Sequence, residues 1–229
     1  MDVNDAHNYL EKLTVLLKSY GEPRRAAAAQ KDKNSKFTFL AIRVPVLRSV
    51  ALKEFSLDNF NENERLLIYN YIWNTTRIYE VMSIPLLYYR SKGLGICEEW
   101  FMTIRHWIDR LDNWGHCDDL AVIYSYFCHN YCDIVLPHLR ELNESDDLWR
   151  IRASIVALAH YTGKGAAYLS PAEVLPFLDQ HLGHKNKYVA NAVGWILREY
   201  NKRYPSEIRS YIDNNQDNIS RVVRKRAGV

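Results

Sequence analysis

The sequence predicts an all-α fold, an α-solenoid of stacked helix pairs with a concave groove. Three observations point there. Apolar residues recur at helical spacing in segment after segment, beginning with Leu10, Leu13, Leu16, Leu17 and Tyr20. An aromatic, eleven other residues and a second aromatic recur as Trp114 to Tyr126, Trp149 to Tyr161 and Tyr188 to Tyr200, at offsets of 35 and 39 residues. That is the period of helix-pair repeats. Little Gly or Pro punctuates strands, and the only strand-like run has no partner.

The elements follow in order. The first helix starts near Asn4 or Asp5 as cap and is ended by Gly21-Glu22-Pro23. A basic, Ala-rich helix from Arg24 to Lys33 comes next. Phe37 to Pro45 has strand-like apolar content, but Pro45 and the helix-like Val46 to Phe55 mark it as a connection between helices. Glu62 to Trp73 carries a wide apolar face of Leu66, Leu67, Tyr69, Ile72 and Trp73. Tyr79 to Tyr89 is a further helix in which Pro85 marks a kink or a boundary, and Gly93 and Gly95 then break the chain. Glu98 to Arg110 turns Trp100, Phe101, Ile104, Trp107 and Ile108 inward. From Trp114 an apolar helix joins each aromatic pair, with Ile134 to Glu141 and Pro171 to His181 between repeats. Pro205 to Asn214 and Ser220 to Arg226 close the array with a basic, polar cap.

Composition limits the function classes. At 229 residues the chain can bury a substantial core. The start lacks a signal-type apolar core, and no apolar run reaches membrane length, so a cytoplasmic protein with no membrane partner is expected. Cys97, Cys117, Cys128 and Cys132 then read as reduced thiols. Cys128-His129-x-x-Cys132 with His116 and Cys117 is the one zinc-like grouping. It lacks a paired C-x-x-C knuckle and falls on helix and turn, so neither metal nor cofactor is expected. The net charge of +3 is unevenly spread. Residues 22–53 hold eight basic and two acidic side chains, 97–148 three and eleven, and 185–229 ten and four. A polyanion can bridge the two basic ends, although such runs are commonly solvated helix faces.

The organising stretch is Asn113-Trp-Gly-His-Cys-Asp-Asp-Leu-Ala121. Trp114 and Asp118 lie four apart, hence on one helix face, and an indole beside an anion is a receptor for a cation. A capping Asp and an interface Trp is the plainer reading. Asp119 points about 100° away from Asp118 on the helix and reads as a solvent or helix-dipole acid. His116 reads as a surface or structural histidine. Arg152, Trp195 and Arg198 fall on the later repeats, Trp195 and Arg198 on a shared face, and a planar guanidinium suits phosphate.

Asn113 to Ala121, Asp147-Leu-Trp-Arg-Ile-Arg-Ala153 and Val193-Gly-Trp-Ile-Leu-Arg-Glu-Tyr200 resemble the AlkD-type DNA alkylation repair glycosylases, a family built of HEAT-like repeats. Phe39-Leu-Ala-Ile-Arg-Val-Pro45, Trp73 and the basic stretch from Asn214 to Arg226 extend the resemblance over nearly the whole chain, so residues 1–229 are expected to form one HEAT-like repeat domain. The resemblance implies a monofunctional glycosylase acting, as a monomer, on N3- and N7-alkylated purines in double-stranded DNA. It implies Asp118 as the catalytic carboxylate, Trp114 and Trp195 as aromatic walls beside the lesion, and Arg152 and Arg198 as DNA backbone contacts. Asn113, where some members have a second Trp, and His116, Cys117 and Asp119 inside the motif depart from the family pattern. A non-catalytic HEAT-repeat module that binds DNA or protein is the alternative.

Overall fold

Helical periodicity translates directly into helices. In a computed structural model, which describes residues 3–92, 97–161 and 166–228, the chain forms two compact units, Met1–Leu120 and Ala121–Val229. The helices of the first unit are α1 (Val3–Ser19), α2 (Pro23–Lys33), α3 (Val44–Ser49), α4 (Glu62–Thr75), α5 (Tyr79–Lys92), α6 (Glu98–Ile104) and the start of α7 (Trp114–Asn130). The division between the units falls inside α7.

The first core is built by α1, α4 and α5. Leu10, Leu13 and Leu17 of α1 are buried, whereas Tyr20 is exposed and its hydroxyl donates to Glu54. Leu67 of α4 is likewise exposed, so the apolar face of that helix is narrower than its sequence suggests. Asn61 caps α4 in a reciprocal box with Glu64, which satisfies two backbone donors at the helix start. Trp73 stacks on Trp107 with centroids 5.2 Å apart. Both indole N–H groups are satisfied, Trp73 by the Trp107 carbonyl and Trp107 by Asn70.

The connection before α3 is held as a loop. Its only ladder contact among the described residues is one parallel bridge, Thr38 to Ile78. The buried Glu80 carboxylate accepts the N–H groups of Leu40, Ala41 and Ile42, at 2.8, 2.7 and 3.4 Å. Ala41 sits at φ 59°, a left-handed conformation that those bonds enforce. The helix α5 runs through Pro85 to Lys92, so the proline is no boundary. The break expected at Gly93 and Gly95 lies outside the described residues. The segment expected as one helix from Glu98 to Arg110 tightens into a 3₁₀ turn at Arg105–Arg110.

The second unit holds the rest of α7, then α8 (Cys132–Asn143), α9 (Leu148–Val156), α10 (Pro171–Val174), α11 (Lys187–Asn201), α12 (Pro205–Asn214) and α13 (Arg221–Ala227). Packing of α11 against α9, α12 and α13 organises it. Gly194 allows the close approach of α13, because a Cβ there would lie 2.7 Å from the Val223 carbonyl oxygen and 2.6 Å from the Arg226 Cβ. The aromatic pairs lie within single helices for α7 and α11. The middle pair does not: α9 ends at Val156, and the Tyr161 hydroxyl reaches back to the Val156 carbonyl. Pro171 to His181, expected as one helix, is α10 followed by two short 3₁₀ turns. Among the described residues no helix is long and apolar enough to cross a membrane.

Candidate DNA-lesion site

The start of α7 is built on buried polar side chains. Asn113 is fully buried and caps the helix, its side-chain oxygen accepting the His116 N–H at 2.9 Å. Its amide donates to Asp112 and to His116 Nδ1. With Nδ1 accepting, the imidazole proton is on Nε2, which faces the Ser83 hydroxyl at 2.9 Å and the Tyr79 carbonyl at 3.2 Å. The His116 ring stacks on Tyr79 (4.1 Å between centroids), and Tyr79 stacks on Phe39 (4.4 Å). Burial pushes the His116 pKa down to about 3, with the Tyr79 carbonyl opposing and Lys33 and Arg110 assisting. His116 is therefore a neutral, structural histidine, and it is buried rather than on the surface. Gly115 completes the arrangement, since a Cβ there would meet the Tyr79 hydroxyl at 2.5 Å. Asp112 ties the α2–α3 connection down by accepting from the Ser35 hydroxyl and the Lys36 N–H.

This packing decides which face of α7 is open. Gly115, His116, Cys117 and Leu120 are buried, while Trp114, Asp118 and Asp119 keep partial exposure. Trp114 and Asp118 share that face, as their spacing requires. The surprise is what already stands there. The Lys33 ammonium, from the C-terminal end of α2, lies 3.3 Å from the centroid of the Trp114 ring. It is 3.8 Å from Asp32, and the Asp119 and Asp118 carboxylates add to the field that favours its charge. Burial nonetheless pulls the Lys33 pKa below the usual lysine value.

Of the two expectations for Asp119, a solvent acid or a helix-dipole acid, the first does not hold. Its side chain is 18% exposed and ion-paired with Arg90 of α5. Burial raises its pKa, against the pull of Arg90. The physical reason is the one-residue step around the helix, which turns Asp119 toward α5. A cleft of about 520 Å³ opens beside this side chain. Lys33, Tyr79, Ser83, Phe39, Leu47 and Asp119 are among the residues that line it, and Arg24, Arg25 and Arg43 add positive charge.

In the second unit, Trp195 is partly exposed and meets Tyr161 edge-on, with centroids 6.2 Å apart. Arg198 is 41% exposed and pairs with Glu199, which also holds Lys202. Arg152 stands differently. It is 8% exposed, and one guanidinium N–H donates to the Tyr188 carbonyl at 2.6 Å, joining α9 to the start of α11. Among the described residues no group of three or more His, Cys, Asp or Glu is placed to hold a metal ion, and the Cys128 and Cys132 sulfurs lie together at 2.8 Å. Sequence reasoning missed Lys33, Arg90 and Tyr79, because each reaches Trp114 to Asp119 from far away in the chain. Only the basic character of α2 was visible.

The model of the DNA alkylation repair enzyme family matches residues 13–228. A predicted DNA alkylation repair enzyme from Enterococcus faecalis superposes with a TM-score of 0.72 at 13% identity, over 90% of this chain and 94% of that one. AlkD2 from Streptococcus mutans superposes with a TM-score of 0.61 at 19% identity, over 81% and 88%. Both likenesses are of fold. No curated protein sequence matches the chain. With a family model spanning nearly its whole length, the chain belongs to the DNA alkylation repair enzyme family.

Proposed function

We propose that the chain is a monofunctional DNA glycosylase that hydrolyses the N-glycosidic bond of N3- and N7-alkylated purines in duplex DNA, acting as a monomer in base excision repair. The observation that carries this reading is the Lys33 ammonium 3.3 Å from the Trp114 centroid: the indole on Asp118's side of the helix accepts a cation on its ring. Alkylation at N3 or N7 gives the purine that same charge and makes it a good leaving group without protonation. What the reaction still needs is an anion beside the sugar as oxocarbenium charge develops. A carboxylate about 4 Å away supplies roughly 4 kcal/mol at an effective dielectric near 20, or about a thousandfold in rate.

Asp118 is assigned that role because the family resemblance implies it and it shares Trp114's face of the helix. Trp114 and Trp195 take the lesion's aromatic and cationic character, and Arg198 contacts the DNA backbone. Arg152 contributes to DNA contact chiefly by holding α9 and α11 together. The test is release of 7-methylguanine or 3-methyladenine from methylated duplex DNA by the wild type and its loss in Asp118→Asn. The alternative is a module that binds duplex DNA without turnover. Duplex binding by the wild type without base release establishes that reading instead.

A further inference from the structure

A receptor that has its own cation cannot take a second without exchange. The Lys33 ammonium is 3.3 Å from the Trp114 centroid, on the indole that shares its helix face with Asp118. Its side chain is only 21% exposed. It also lines the cleft with Tyr79 and Asp119. The Trp114 ring thus carries a cation without DNA, that of a lysine on a flexible four-carbon stem.

We propose that Lys33 is a specificity-determining residue: it holds the cation position on Trp114 until a positively charged purine displaces it, and so sets how strongly charged lesions are preferred over neutral ones. The inference rests on the glycosylase reading of the site. Displaced, the ammonium is free to swing to a DNA phosphate. The lesion's charge then meets Trp114 and the carboxylates, and its gain is the difference between its own attraction and that of Lys33. A neutral base collects no such gain and leaves Lys33 in place. Replacing Lys33 by an uncharged side chain removes the competitor. Charged lesions should then bind more tightly relative to neutral ones.

The experiment compares two uncleavable duplexes by fluorescence anisotropy. One contains 2′-fluoro-stabilised 7-methylguanosine, a cation, and the other its neutral isostere 7-methyl-7-deazaguanosine. The wild type, Lys33→Met, Lys33→Gln and Lys33→Arg are compared after circular dichroism has shown each to be folded. The ratio of affinities, charged over neutral, should rise about 3-fold or more in the Met and Gln variants, the range of a single cation–π contact. It should stay near the wild-type ratio in Lys33→Arg. The salt dependence of binding to undamaged duplex should keep the wild-type slope in every variant, because a neutral duplex leaves Lys33 on Trp114. An unchanged or smaller charged-over-neutral ratio in folded Lys33→Met and Lys33→Gln overturns the proposal. These duplexes are not cleaved, so the outcome is independent of turnover, whereas absence of base release from methylated DNA sinks the glycosylase reading alone.

Discussion

The start of α7 and the middle of α11 present the same elements, an indole and a charged group about one turn apart on a helix, yet they are built in opposite ways. Behind Trp195 and Arg198 lies an ordinary apolar face, Val193, Ile196, Leu197 and Tyr200 being buried. Behind Trp114 and Asp118 lie Asn113 and His116, both fully buried and tied to Ser83, Tyr79 and Asp112. Buried polar groups destabilise a fold unless each is hydrogen-bonded, and a satisfied network orients its members rigidly. The contrast teaches that amphipathic patterning is enough to display surface groups. The α7 start instead carries a polar support whose effect is to hold one orientation, which a transition-state anion needs.

The comparison breaks most readily at Asp118. Asp118→Asn should lower base release about a thousandfold, measured in single turnover, with duplex affinity kept. Asp119→Asn, which touches Arg90 instead, should leave the rate within about tenfold and cost about 1 kcal/mol of stability. Equal loss in both would assign the two acids wrongly.

Gly194→Ala tests the scaffold side. The added methyl meets a carbonyl oxygen and the start of a side chain, and neither can yield without moving α13. A loss of about 2–3 kcal/mol in chemical denaturation is expected, typical of overpacking. Arg152→Ala should act likewise, through stability, by about 1–3 kcal/mol, because it strips the Tyr188 carbonyl of its buried donor.

Acid sharpens the α7 side. The His116 imidazole binds a proton near pH 6.5 when unfolded and near pH 3 when folded. Between these values unfolding takes up a proton, so stability falls as pH drops, by up to about 1.4 kcal/mol per pH unit. His160 and His181 are also shifted down by burial and act in the same direction. The measurement is therefore the urea midpoint from pH 7.5 downward for wild type and His116→Gln, the variant showing the smaller slope. Parallel slopes would place the acid lability elsewhere. The smallest effect belongs to Arg198→Ala, which should weaken duplex binding whatever the sequence and reduce the salt slope by about 1. An unchanged slope removes Arg198 from the phosphate contacts.

The helices were legible because periodicity and caps are local. Arg24 to Lys33, Pro205 to Asn214 and the Ser220 start emerge within a residue or so of their expected bounds. The misreadings come from features that local pattern does not carry. The turn at Arg105–Arg110 and the early end of α9 depend on how the neighbouring segments pack, not on a Gly or Pro stop signal. Asn113 and His116 looked like departures from a family pattern, and they are the helix cap and its buried partner. Arg152 was visible as a cation on the right repeat, but its burial was not, because that depends on the Tyr188 carbonyl arriving from α11.

Chain order alone determined that Trp114 and Asp118 look the same way, since the rise and turn of a helix leave no other outcome. Tertiary packing decided everything about their company. It delivered Lys33 from α2 onto the indole, Arg90 from α5 to the neighbouring acid, and Tyr79 beneath the helix start. Those partners are distant in sequence, and the forces that select among them, ring stacking, ion pairing and the satisfaction of buried donors, act only once the core has brought them within a few ångströms.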